Sequence, residues 1–417
     1  MISIHPKQGL GHGLESPMRP MRPNKNMVTD MIGHGAKYLL LVASLAAFLP
    51  YKAGAQEMGE MVGLPVPVSG PGTEVIGTIS GRLAYGAERG AIAGLDLTTD
   101  QLFGRNQSLR FSGEVSELDS RLSFAYEAPE LLGERPVFGL RAFRTEVNQG
   151  GALTFSTISY GAGPFLRWQL GETTELVTAL VLSHDRVREL EVGGSAILRA
   201  DLGGRDRATL QLALSHGFEM TAGPWDVGGG LRFEQSFMTT SDDGRYLLSK
   251  AEASIEGTNP AGTARLLAVL KAGTLHSVSG VTSVGNRFFY GQSLLRGFEI
   301  GGLGPVDEAV LGNPALGGNS YVGAQFEIQF PGAFPIYTQL TPGIHFGVAS
   351  IFGLDTVTGG PDGTRLVDDG LKWRSSIGIS LNYETQLGRL GLYYSEPISS
   401  RPYDRVEEFQ VVFGARF

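Results

Sequence analysis

The chain has 417 residues, enough for two or three ordinary domains or one large β-structure. It contains no Cys, which removes disulfides, thiol chemistry and thiolate metal sites, and its formal charge of −8, with no Lys/Arg cluster, argues against a nucleic-acid partner. Gly supplies 60 residues, about twice the usual share, spread along the chain with no collagen-like period.

The N-terminus reads as an address. Residues 39–49 (LLLVASLAAFL) form a short apolar run, preceded by Lys37 and followed by Ala53-Gly54-Ala55. A charged flank, a short apolar stretch and an A-x-A site make a signal peptide cleaved after Ala55, and imply export. The run is too short for a spanning helix, which needs about 20 apolar residues. Residues before Met27 read as an upstream extension, with Met27 or Met31 as the start. Residues 1–55 are thus extension and signal peptide, and 56–74 a short periplasmic segment rich in Gly and Pro. Nothing later is long and apolar enough to cross a membrane as a helix, so the mature protein is either soluble or crosses as strands.

Periodicity selects strands. Gly77, Ile79, Gly81, Leu83 and Tyr85 alternate with Thr78, Ser80, Arg82 and Ala84, and Leu109, Phe111, Gly113 and Val115 alternate with Ser108, Arg110, Ser112 and Glu114. The same period of two recurs at Leu210, Leu212 and Leu214, and at Ile377, Ile379, Leu381 and Tyr383. One face is apolar and the other carries small or charged residues, in segments of about ten residues, which is the pattern of barrel strands with lipid outside and water inside. A closed barrel is also the one strand structure a bilayer tolerates, because every backbone N–H and C=O must be paired internally. The expectation is an all-β transmembrane antiparallel β-barrel over 75–417, in contact with outer-membrane lipids. Its predicted strands number about 16: 75–86, 89–99, 107–117, 119–128, 136–146, 153–169, 174–186, 206–219, 224–239, 245–257, 262–275, 319–330, 336–351, 372–384, 387–396 and 406–417. Because 136–146 and 262–275 alternate poorly, 14 and 18 stay open. Trp168, Trp225 and Trp373 read as interfacial anchors. In the last strand Phe409, Val411, Phe413, Ala415 and Phe417 form the outward set, and a terminal Phe closing an aromatic-rich strand resembles the recognition signal of outer-membrane barrel substrates.

Residues 276–318 break the rhythm, and connections that long usually have a function. They contain Asn286-Arg287-Phe288-Phe289-Tyr290-Gly291, Leu294-Leu295-Arg296-Gly297-Phe298, Gly301-Gly302-Leu303-Gly304-Pro305 and Leu316-Gly317-Gly318-Asn319. This run resembles the long sixth extracellular loop of the BamA/TamA assembly-factor superfamily, also called the bacterial surface antigen family, with its (V/L)RGF motif. Residues 102–144 are similar to the family's early strands and 319–332 to the strand after the loop, so the resemblance covers the whole barrel region.

The resemblance implies that the loop folds into the lumen, where Arg296 of the motif Leu295-Arg296-Gly297-Phe298 pairs with acids on the inner wall. Val322, Ala324, Phe326, Ile328 and Phe330 form the next strand's lipid-facing set, so Glu327 points inward, where the family's strand glutamate sits. Two departures follow. The family's second acid lies in an F-x-D-x-G segment, and Phe346-Gly347-Val348-Ala349-Ser350 aligns with it, putting Val348 in place of the Asp on an inward site. Family members also carry periplasmic POTRA modules of about 75 residues, for which the stretch between Ala55 and Val75 has no room. Enzyme and cofactor signatures are lacking: there is no G-x-S-x-G or G-x-x-x-x-G-K motif, and His184, His216, His276 and His345 show no ligand spacing. The expected function is assistance in assembling or transporting outer-membrane proteins, with unfolded outer-membrane proteins and a separate periplasmic partner as candidate partners. The alternative is a structural barrel or passive pore.

Overall fold

The structure is a computed structural model that describes residues 68–70, 73–75, 77–86, 89–100, 106–133, 136–150, 152–190, 194–334, 339–384 and 388–416. All of them belong to the unit Glu57–Phe417. The signal peptide, its cleavage site and Phe417 lie outside the described residues.

Sixteen antiparallel strands close into a barrel. They are β1 (Gly77–Gly86), β2 (Gly90–Asp100), β3 (Ser108–Ser116), β4 (Asp119–Ala128), β5 (Val137–Val147), β6 (Phe155–Gln169), β7 (Thr174–Leu190) and β8 (Gly203–Ala222), followed by β9 (Trp225–Thr240), β10 (Arg245–Thr258), β11 (Arg265–Ser279), β12 (Ser320–Gln329), β13 (Leu340–Phe352), β14 (Arg374–Glu384), β15 (Gly388–Ser399) and β16 (Phe409–Arg416). Each strand pairs with its sequence neighbours, and β16 returns to β1. Before the barrel, Val68–Gly70 pairs with Thr73–Val75, so Val75 belongs to a small hairpin and the barrel starts at Gly77. Among the described residues no helix is long and apolar enough to cross a membrane.

The strands form where the alternation is cleanest, and their two faces differ as lipid and water demand. Leu95, Phe111, Leu122, Leu180, Leu210, Phe233, Phe326 and Ile379 are exposed on the outer face, while Ser80, Asp96, Ser183, Glu327 and Ser380 are buried on the inner one. The three longest connections all lie at one end of the barrel. Gly223 (φ +61) and Pro224 alone join β8 to β9 at the short-turn end, a turn that needs a residue able to take positive φ at no steric cost. At the long-loop end lie 191–202, with a four-residue helix α1 (Ala196–Arg199), and the connections 280–319, 353–373 and 400–408.

Two expectations are corrected. Strand β11 runs on to Ser279, so the long loop spans 280–319 rather than 276–318. Val348 lies on the outer face. It stands directly opposite Ala324 and Ser375, and Ala324 stands opposite Leu270, which is exposed. Directly opposed residues share a face. The inner row beside it is Lys271, Gly323, Ala349 and Arg374. The phase of β13 is set by Ile344 and Phe346, both exposed to the outside, which leaves His345, Gly347 and Ala349 inward.

Candidate functional site: a loop on the inner wall

The loop 280–319 packs on the inward side chains of the barrel. Leu294, Leu295, Phe298 and Leu303 are buried in one cluster with Met238, Tyr246, Leu275, Tyr321, Ala349 and Ile351 of the wall. The wall makes room by using glycine. A Cβ built on Gly323 would meet Leu294 Cδ1 at 2.4 Å, and one on Gly347 would meet Leu295 Cδ1 at 2.7 Å. Gly347 is therefore the inward neighbour of position 348, and the space a side chain there would need is occupied by the loop leucine. Since Val348 faces out, Val348→Asp is expected to set a charge against lipid and cost up to a few kcal/mol. The measurement is the yield of barrel that keeps its compact gel mobility without heating, and a variant matching the parent would return position 348 to the lumen.

Arg296 is held from three sides. Its Nη2 lies 2.9 Å from Glu327 Oε2, and its guanidinium lies 4.7 Å from the centre of the Tyr393 ring. Its backbone carbonyl accepts from Ser376 Oγ at 2.7 Å. Glu327 also accepts from Ser380 Oγ (2.8 Å) and Gln329 Nε2 (2.9 Å), so its lone pairs are well used. A planar cation that both meets a carboxylate and stacks on a ring suits Arg better than Lys. The neighbouring His345 is buried and shares a hydrogen bond of 2.9 Å with Ser395 Oγ.

Gly297 takes φ +92, and a Cβ there would stand 3.2 Å from Ser395 Cβ and 3.6 Å from Ser376 Cβ. Both the backbone conformation and the close approach to the wall serines call for glycine. Phe298 is fully buried and forms a bridge with Val406, while Glu407 N–H donates to Gly297 O and Glu299 N–H to Arg405 O. The RGF segment is thereby stitched to the connection that leads into the last strand. Glu407 takes Gln292 Nε2 at 2.7 Å, and burial pushes its carboxyl above the usual range.

Two buried ion pairs escaped sequence reading. Arg287 donates through Nη2 to Thr282 O (2.7 Å) and through Nη1 to Leu316 O (3.3 Å), and it lies 3.7 Å from Asp201 beside α1. Asp201 also accepts from Val284 N–H, and burial raises its carboxyl against the pull of Arg287 and that N–H. Arg374, at the start of β14, grips Asp404 with Nε (3.0 Å) and Nη2 (2.8 Å), and both side chains are only 1% exposed. The first pair joins two connections and the second joins a strand end to a connection, and neither acid partner carries a sequence signature.

The seam between first and last strands is short. Among the described residues β16 and β1 share four paired positions, Phe413 with Tyr85, Gly414 with Ala84, Ala415 with Leu83 and Arg416 with Arg82, whereas the adjacent β15–β16 ladder has seven. Among the described residues Gly77–Ser80 of β1 pair with β2 on one side and carry no β16 partner on the other. On β16, Phe409 is exposed outward and Gln410 buried inward, which sets Phe409, Val411 and Phe413 on the lipid side.

The family description "Omp85 superfamily domain" matches residues 101–417. The chain belongs to the Omp85 superfamily. This Omp85 barrel is 24% identical over 342 residues to the outer membrane protein assembly factor BamA of Neorickettsia risticii (strain Illinois), across 81% of this chain and 44% of the relative. The chain thus spans less than half the length of that curated protein. In fold it is similar to BamA from Haemophilus ducreyi lacking POTRA domains 1-3, with a TM-score of 0.68 and 18% identity over 86% of this chain and 75% of the other. CdiB from Escherichia coli shares the fold at a TM-score of 0.51 and 11% identity, over 81% of this chain and 63% of that one. An Omp85 barrel of this kind is an outer-membrane protein.

Proposed function

We propose that this barrel helps outer-membrane polypeptides insert or cross, by opening between β1 and β16. The observation that carries the reading is the short seam. A strand edge with unpaired N–H and C=O groups is a template for another strand, and among the described residues Gly77–Ser80 present such an edge toward the short-turn end. An incoming unfolded outer-membrane protein adds a strand there by main-chain hydrogen bonds, with its alternate side chains facing lipid. The barrel supplies no chemistry of its own in this reading; the Arg296–Glu327 pair and the RGF contacts hold the loop in place while the seam spreads. The chain reaches the outer membrane by a signal peptide cleaved after Ala55, and a separate periplasmic partner delivers substrates.

The test locks the seam. Ala84 and Gly414 are directly opposed, a side chain at 414 meets nothing within 4 Å, and the chain has no other Cys. Opposed strand residues lie within disulfide reach, at about 4.5–5.5 Å between Cα atoms. Cells depleted of the native protein and carrying Ala84→Cys with Gly414→Cys are expected to lose outer-membrane barrel proteins under oxidising conditions and to recover them with reductant. Normal levels of those proteins with the seam oxidised, or in depleted cells without any copy, would mark the barrel as structural or as a passive pore.

A further inference from the structure

Charges on the lipid-facing side of the barrel strands are rare, and the basic ones are gathered in one place, while an acid, Glu396, lies apart from them on β15 opposite Ile377. Among the described residues, the arginines on the outward face of the strands are Arg144, Arg186, Arg188 and Arg245, all at the long-loop end of β5, β7 and β10. Their placement follows from register. Arg144, Tyr160, His184 and Asp206 stand opposite one another in a single row across β5 to β8. One row nearer the mid-plane come Ala142, Ala162, Leu182, Ala208 and Thr239, and Arg245 lies beside Thr239. One row further out Arg186 sits between Ile158 and Gly204. Along β7 the outer face therefore changes from Leu180 and Leu182, through His184, to Arg186 and Arg188.

The surface at this point is concave. An open groove of about 780 Å³ runs along Tyr160, Ala162, Leu182, His184, Asp206 and Ala208, where the small side chains of Ala162 and Ala208 leave channels on either side of Leu182. Two acids share the upper part and are already engaged. Glu146 takes Arg144 (2.7 Å) and Arg188, and Asp206 takes His184 Nδ1 at 2.8 Å. Arg186 is exposed and has no hydrogen bond or ion pair among the described residues. The balance over the rim is positive, and it lies above an apolar slot on a wall that faces lipid.

We propose that this wall binds a membrane lipid with a phosphate-bearing headgroup. The phosphate is taken by Arg186 with help from Arg144, and one acyl chain lies in the groove along Leu182. Guanidinium meets phosphate in paired charge-assisted hydrogen bonds, and an aromatic residue at the same depth, Tyr160, suits the membrane interface. The order of apolar slot, aromatic rim and basic edge matches the order of chain, glycerol and phosphate in such a lipid; a soluble phosphate would leave the apolar slot unused. The site lies on β5–β10, half-way round the barrel from the β1–β16 seam. It requires only that the barrel sits in a bilayer, so it stands apart from the insertion reading.

The test uses the folded full chain in dodecyl maltoside, titrated with dipalmitoyl phosphatidic acid and followed by native mass spectrometry. The parent is expected to retain this lipid at least tenfold better than dipalmitoylglycerol, which has the same chains and no phosphate. Arg186→Gln, at an exposed position without a partner, is expected to weaken retention about tenfold, and Ala208→Trp to weaken it by filling the groove. Arg232→Gln, on the inner wall, should bind as the parent does. Equal retention of both lipids, unchanged binding by heat-resistant Arg186→Gln and Ala208→Trp barrels, or full competition by glycerol 3-phosphate would each overturn the proposal.

Discussion

Arg374→Ala is expected to be the most damaging single change in the barrel, lowering stability by about 4 kcal/mol, the usual scale for removing one partner of a buried ion pair. Arg374 and Asp404 are both 1% exposed and joined by two hydrogen bonds. Arg374 Nη1 also donates to Lys372 O, and Asp404 accepts from Arg401 N–H at 2.7 Å. Without the guanidinium, Asp404 is left charged in a site closed to water. The segment 400–408 then loses its hold on β14, and with it the bridge from Phe298 to Val406 and the approach of β16 to the seam. Denaturant unfolding in detergent gives the magnitude. The joint change Arg374→Met with Asp404→Leu is expected to recover most of the loss, because a matched apolar pair leaves no charge behind. A single variant within about 1 kcal/mol of the parent would show that Asp404 finds water or another cation.

Arg296→Ala is expected to cost roughly 3 kcal/mol, at the lower end of that range because the arginine side chain is 23% exposed while Glu327 is 6% exposed. The change removes both the carboxylate contact and the stacking on Tyr393. Glu327 keeps Ser380 and Gln329 but no cation at hydrogen-bond distance. Faster cleavage within 280–319 by a protease of broad specificity, together with lower heat resistance, is the expected signature. Arg296→Lys should fall between parent and Ala, since it keeps the charge and loses the planar face. Parent-like behaviour of the Ala variant in both assays would mean that the leucine contacts alone hold the loop.

Strand alternation made nearly the whole barrel legible in the sequence, because a bilayer outside and water inside impose a strict period of two. Even 262–275, whose pattern is weak, is a barrel strand: Leu266 and Leu270 are exposed outward, and its inner residues include Leu275, which the loop covers. That cover explains the weak alternation, since an inner wall lined by loop side chains is allowed to be apolar. The same effect misplaced Val348. Gly343 and Gly347 on the inner face of β13 carry no polar signal, so nothing in the sequence marks which of Gly347 and Val348 faces the lumen. The Arg374–Asp404 and Arg287–Asp201 pairs were not legible because the acid of each lies in an irregular connection, where neither period nor spacing constrains a partner.

The long loop also has a mechanical consequence. It meets the wall on opposite sides: Gly301 packs against Ala152 and Leu153, and Gly285 against Val187 and Thr157, while Leu295, Arg296 and Gly297 rest on β12 to β15. These anchor points are about half the circumference apart, so the loop acts as a tie-beam across the rim at the long-loop end. A braced rim resists widening there. In the proposed opening the seam pivots about that rim, with the largest displacement at the opposite end, where among the described residues Gly77–Ser80 of β1 pair with β2 alone.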